Sequence, residues 1–334
     1  MPSLLLAKPV TISVAQQVAD NYINAPLKDA SGVLRAPQKK RKMTKMAKQV
    51  TDNQQFYVFN NENGEGFVII SADDVARPVL GYSQTGSFDA DNIPDNLRWW
   101  LSEYDRQIQW AQENNLPPSE EIAEQWKRIK ANQVTAATPV VGPLIQTHWG
   151  QAPYYNNKCP KSDDGDAVTG CTATALAQIM RYWSWPEKGF GSHEYTHNKY
   201  GELYANFGET FYDWDNMPNW LDEISSSKEI DAVSTLMYHC GVSVDMNYGP
   251  DVSSAYNNNA ANAACNYFYY SDAIEYLWKN YFSSNNLWYD ILFDQLNNRF
   301  PILYGGAKSD RTGGHAFVCD GYNSAYYLHF NWGW

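Results

Sequence analysis

The period of the hydrophobic positions changes repeatedly along the first 130 residues of this chain. Val14, Val18 and Tyr22 recur at helical spacing, and Ser13 with Gln16 three residues later forms a capping-box pattern at that helix's start. Two strand-like runs, 56–60 and 66–72, flank Asn61-Glu62-Asn63-Gly64-Glu65, whose Asn-Gly step predicts a hairpin turn. Leu97, Leu101, Tyr104 and Ile108 predict a long amphipathic helix, and Ile122, Trp126 and Ile129 a second. Residues 1–136 therefore read as a small α+β domain. The stretch 132–143, NQVTAATPVVGP, carries two prolines and no charge, so helix cannot continue through it. It reads as a linker, of the exposed small-residue kind that proteases cut most readily. From 137 to 334 the order is helices first and strands near the C-terminus. Residues 251–262, DVSSAYNNNAAN, are polar and low in complexity, and predict a loop or an irregular helix start.

A length of 334 residues suits two domains, and 44% hydrophobic with 15% aromatic residues can fill their cores, which argues against disorder. The net charge of −12 repels a nucleic-acid backbone, so no nucleic-acid partner is expected. The basic run Lys39-Lys40-Arg41-Lys42, with Lys45 and Lys48, has no interleaved aromatics and reads as a solvated face. No apolar stretch approaches the roughly 18 residues that span a bilayer. Residues 1–7 contain Leu4-Leu5-Leu6 but no charged leading region, so they are not an intact signal peptide. The five cysteines are scattered and odd in number, which excludes a disulfide scaffold. No CxxC, no HExxH and no paired histidines at ligand spacing occur, so no metal is expected. Asp163-Asp164-Gly165-Asp166 lacks the alternating spacing of a calcium loop and reads as a solvated loop.

One cysteine stands out by its surroundings. After Val168-Thr169-Gly170-Cys171, the residues Leu176, Met180 and Trp183 fall at helical spacing, with Pro186 just past the end. Ala173, Ala175 and Ala177 let that helix lie close to its neighbours. Gly170 makes the turn into it, which places Cys171 in the first turn of a buried helix. Unpaired N–H groups and the positive end of the dipole there favour a thiolate, the form that attacks carbonyls. The bland alternative is a small buried hydrophobe.

A second constellation lies near the C-terminus. Residues 313–322 read as a strand led by His315, and 326–332 as its partner, joined by Asn323-Ser324-Ala325. A turn centred on Asn323 puts His315 directly opposite Asn331, an amide beside an imidazole whose tautomer it can fix. Cys319 lies on the same strand face as His315 and is expected to touch the core. Upstream, Gln151 in an aromatic loop could join the backbone N–H of Cys171 in holding an oxyanion.

In this order, WGQxPY around Gln151, TGCTATAxAQIM around Cys171, VDMxYGP at 244–250, GGHAFV around His315 and NWGW at the end resemble the streptopain family of papain-like bacterial cysteine proteases, with particular likeness to its interpain-type members. The resemblance covers 137–334 well and extends loosely over 1–136. It implies an α+β fold in which a helical part carries the nucleophile and an antiparallel β part carries the histidine. It makes Cys171 the nucleophile, His315 the general base and acid, and Gln151 an oxyanion donor. Asn331 would orient His315, Trp332 would cover that pair, and Ser254 and Gly314 would touch substrate. The implied protein is a secreted, extracellular bacterial endopeptidase acting on proteins and peptides, without metal or organic cofactor. It would prefer a bulky apolar residue two positions before the cut. Residues 1–136 would be a removable pro-domain, an intramolecular inhibitor of the peptidase domain 137–334.

Two departures accompany the resemblance. Thr172, not tryptophan, follows Cys171, so this is not a plain papain relative. The family's chains continue through further strands past the last motif, so the C-terminal end is expected to be incomplete here. Latency is expected to come from filled substrate sites or from His315 held away on a moving 305–314 segment, with cleavage near Ala136-Ala137. An acyltransferase using the same trio, or a catalytically silent binding protein, remains open from the residues alone.

Overall fold

The hairpin predicted in the first half forms. In the computed structural model, which describes residues 7–28, 34–37, 39–93, 95–307 and 314–333, strands β4 (Phe56–Asn61) and β5 (Phe67–Ser71) pair antiparallel. They are the centre of a four-stranded meander between β3 (Met43–Lys45) and β6 (Val79–Ser83), while β1 (Leu27–Lys28) and β2 (Leu34–Arg35) form a small separate ribbon. This first unit spans Met1–Thr138, and a second spans Pro139–Trp334.

Helix α1 (Ile12–Ile23) is capped two residues before the expected position. Thr11, not Ser13, is its cap, its hydroxyl accepting the Val14 N–H at 3.4 Å, while Gln16 donates to the Met43 carbonyl at 2.7 Å. The two further predicted helices are α2 (Asp95–Glu113) and α3 (Glu120–Lys130). Leu101 of α2 packs with Val50, Phe56, Val58 and Ile69 on one face of the meander. Ser119 caps α3; Glu120 and Glu121 occupy its first turn and Lys127, Arg128 and Lys130 its last, the arrangement its dipole favours. Lys42 of the basic run meets Glu62 at 2.7 Å, as a solvated face should.

The second unit opens with a correction. The last part of the expected linker is strand β7 (Pro139–Val141), which pairs with β13 (Gly314–Asn323). A proline lacks a ladder donor and reads as linker in sequence, yet an edge position tolerates it. Next come the ribbon β8 (Lys161–Ser162) and β9 (Gly165–Asp166), helix α4 (Cys171–Trp183), and the ribbon β10 (Ser192–His197) and β11 (Gly201–Asn206). Helices α5 (Ser227–Ser243), α6 (Asn257–Phe268) and α7 (Asn285–Asn297) precede β12 (Ile302–Ala307), β13 and β14 (Leu328–Asn331). Asp164 and Asp166 of the acidic loop are ion-paired with Lys199 and Lys161. Residues 251–256 are irregular and the rest of that polar stretch starts α6.

Helix α4 is buried on nearly all sides. Leu176 and Met180 join Leu236, Met237 and Cys240 of α5 in the main core, each of the leucines and methionines contributing about 1.5–3 kcal/mol through burial. On its other side Ala175 and Ile179 pack against Ala316 and Val318 of β13. The opposite face of β13 offers Cys319, fully buried with Leu296 of α7 and Val141 of β7. The β-part thus lies between α4 and α7.

The β13–β14 register differs from the expected one. Asn331 lies opposite Val318, not His315, and Phe330 opposite Cys319. Two local features cause the shift. The Asn323 side chain accepts the N–H groups of Ala325 and Tyr327, and Tyr326 adopts a left-handed φ of 61°, so the turn is longer and β14 starts only at Leu328. A bulge between Cys319 and Gly321 then displaces the ladder again.

Candidate active site

Cys171 is the first residue of α4. The preceding Gly170 has φ 85° and ψ 139°, a conformation close to glycine-only, and a Cβ there would stand 2.6 Å from Met246 Sδ. Gly170→Ala is therefore expected to lower the unit's stability by about 1–3 kcal/mol for the backbone alone. It should also misplace the sulfur, so the urea midpoint and the peptidase rate should fall together. The Thr174 N–H already bonds the Gly170 carbonyl at 3.0 Å, which leaves the earlier N–H groups of the helix available around the sulfur.

The Cys171 Sγ accepts the Ala316 N–H at 3.4 Å, which brings the start of α4 and the strand after His315 into contact. Burial dominates and raises the thiol pKa, while the N–H of Ala316, the Thr172 hydroxyl and the N–H groups of Thr172 and Cys171 oppose it. His315 lies on β13 opposite Gly306, its ring stacked against Phe317. Burial depresses the imidazole pKa to about 4, against the opposing influence of its hydrogen bond to the Trp332 backbone. Its Nε2 is buried without a hydrogen-bond partner. No hydrogen bond joins the sulfur to the ring in this state. Both shifts run toward the uncharged forms, thiol and neutral imidazole.

The other predicted residues fall around this pair. The Trp332 ring meets Phe317 at a tilt, 4.5 Å between ring centres, and Phe317 also carries the His315 ring. Asn331 is close to that segment, but its amide is used elsewhere: Nδ2 donates to the Thr147 carbonyl at 2.7 Å and Oδ1 accepts from Gln178 at 3.1 Å. The register shift accounts for this. Gln151 is 4% exposed, and its carbonyl accepts the Thr169 N–H at 3.3 Å, which holds it beside the segment leading into Cys171. Ser254 is exposed and bridges Asn247 by backbone bonds, in the loop whose Ser253 hydroxyl donates to the Val168 carbonyl at 2.7 Å. Gly314 is the exposed first residue of β13. Residues 308–313 of the segment expected to move lie outside the described residues. All five cysteines are unpaired. No cluster of three or more metal-ligating side chains occurs among the described residues, nor any helix long and apolar enough to cross a membrane.

Residues 149–334, which hold Gln151, Cys171, Ser254, Gly314, His315, Asn331 and Trp332, match the Peptidase C10 family, and residues 7–108 match the Spi protease inhibitor family. The chain belongs to the peptidase C10 family. Streptopain of Streptococcus pyogenes is 34% identical over 299 residues, covering 83% of this chain and 71% of streptopain. Thiol protease/hemagglutinin PrtT of Porphyromonas gingivalis is 33% identical over 349 residues, which cover 99% of this chain but only 38% of PrtT. Among solved structures, prointerpain A of Prevotella intermedia matches with 34% identity and a TM-score of 0.72, covering 88% of each chain. The active interpain A cysteine protease of the same organism matches with 41% identity and a TM-score of 0.55, covering 58% of this chain and 82% of its own.

In this C10 chain the sequence reading missed Thr147 and Gln178, which tie the site's parts together. A signal was present: Gln178 follows Cys171 by seven residues, two helical turns, and so shares its face. It is an uncharged polar residue in an otherwise apolar run.

Proposed function

We propose that this C10 chain is a latent, secreted cysteine endopeptidase in which Cys171 cleaves peptide bonds through an acyl-enzyme. The observation that carries the proposal is the sulfur at the first position of α4, touched by the N–H of the residue following His315. His315 takes the thiol proton as Sγ attacks the carbonyl carbon. The oxyanion forms between the Cys171 N–H and the Gln151 amide. His315 then protonates the leaving amine as the C–N bond breaks, and a water, deprotonated by the same ring, releases the acid and restores the thiol. Asn331 and Trp332 hold the histidine side of the site. Ser254 and Gly314 border the substrate, with a bulky apolar residue favoured two positions before the cut.

The Spi-type first unit acts as the intramolecular inhibitor. The upward shift of the Cys171 thiol supports latency, because thiolate is the attacking form. Cleavage falls near Ala136-Ala137, in a stretch without helix or strand at 133–138. The test follows mass and peptidase activity of the full chain together during incubation. Activity is expected to appear with loss of about the first 136 residues, and a full-length chain that cleaves peptides at the processed rate would refute the latency.

A further inference from the structure

Residues 171, 174 and 178 of α4 share one face, because steps of three and four residues nearly complete helical turns. On that face Gln178 is polar yet has no exposed surface. Both ends of its amide are used. Oε1 accepts the Thr147 hydroxyl at 2.8 Å and the Trp149 N–H at 3.4 Å, while Nε2 donates to Asn331 Oδ1 at 3.1 Å. Asn331 closes the cycle by donating to the Thr147 carbonyl at 2.7 Å, and its Oδ1 also accepts the Gly333 N–H at 3.1 Å. Gly333 turns there with φ 74°, and a Cβ on it would stand 3.2 Å from Thr174 Cγ2.

Three separate stretches therefore meet on one amide. The first, 147–149, ends two residues before Gln151. The second, 331–333, contains the Trp332 backbone group that holds the His315 ring. The third is the nucleophile helix itself. We propose that Gln178 is a positioning residue for catalysis, fixing the oxyanion donor and the support of His315 relative to Cys171. This rests on the cysteine-peptidase reading given above. An apolar residue of equal length would fill the same space without setting angles. A fully bonded buried network specifies one arrangement.

The test compares wild type, Gln178→Met and Gln178→Glu as full chains taken through the same activation. Met keeps the length and removes all three bonds. Glu keeps the acceptor for Thr147 and Trp149 and, ionised, loses the donor to Asn331. Three quantities are read: the melting temperature, kcat and KM on a small fluorogenic peptide, and the rate at which iodoacetamide alkylates Cys171. For Gln178→Met, kcat is expected to fall about a hundredfold with KM changed less than about threefold, the signature of misplaced reacting groups. Alkylation should slow by about tenfold, and Gln178→Glu should also lose about tenfold in kcat.

A lower melting temperature with unchanged kcat and alkylation would mean a purely structural role and overturn the proposal. Should Gln178→Met fail to fold, Gln178→Glu decides, and an unchanged kcat there overturns it. If wild type cleaves no peptide, the peptidase reading falls and alkylation alone decides: a slower variant supports positioning, equal rates overturn it.

Discussion

A Cys171→Ala chain is expected to fold normally and to show no peptidase activity above background. The side chain is small, so its loss removes little packing, while the reaction loses its only attacking atom. Cys319→Ala and Cys265→Ala are the controls, and each should retain most of the activity. Cys319 is fully buried on the face of β13 turned away from α4, where burial pushes its thiol pKa far up. Cys265 lies on α6, its sulfur against the Ser271 carbonyl at 3.3 Å and its pKa raised chiefly by desolvation. Neither receives an N–H at a helix start. Casein digestion by the three variants, with circular dichroism to verify folding, separates these outcomes, and normal turnover by a folded Cys171→Ala chain would end the assignment.

His315→Ala is the second large effect. A positioned general base supplies roughly a hundred- to ten-thousand-fold in rate, and the loss here should lie in that range. Alkylation of Cys171 in the processed enzyme should slow as well, because the ring would no longer take the thiol proton. His193 provides the contrast: it lies on β10, paired with Asp245 at 2.8 Å, and His193→Ala should leave turnover near normal. Equal losses in the two variants would show that His315 matters for folding rather than for proton transfer.

Local chemistry made part of this site legible in the sequence. Gly170, the spaced alanines and the apolar repeat of Leu176 and Met180 were enough to place Cys171 at the start of a buried helix, where it lies. The hairpin at 56–72 was legible because Asn-Gly is a strong turn signal between alternating residues. The register of β13 and β14 was not. It depends on the side chain of Asn323, a left-handed Tyr326 and a bulge at Asp320, none of which alters the pattern of apolar positions. For the same reason Asn331 could be placed near the histidine segment by sequence, but its partners Gln178 and Thr147 could not. Those contacts span 153 and 184 residues of chain, and only the tertiary fold brings them together. Strand β7 was hidden by its proline, whose edge position appears only once β13 is in place.

The central claim is that Cys171 is the attacking atom and becomes competent when the first unit is removed. Labelling with a biotinylated epoxide inhibitor tests it most directly, applied to the chain before and after processing, with the labelled peptide identified by mass spectrometry. One label per processed chain is expected, on the peptide containing Cys171, with activity lost in proportion to labelling and slow labelling before processing. A label on Cys265 or another cysteine, or full labelling of Cys171 with peptidase activity intact, would contradict the account.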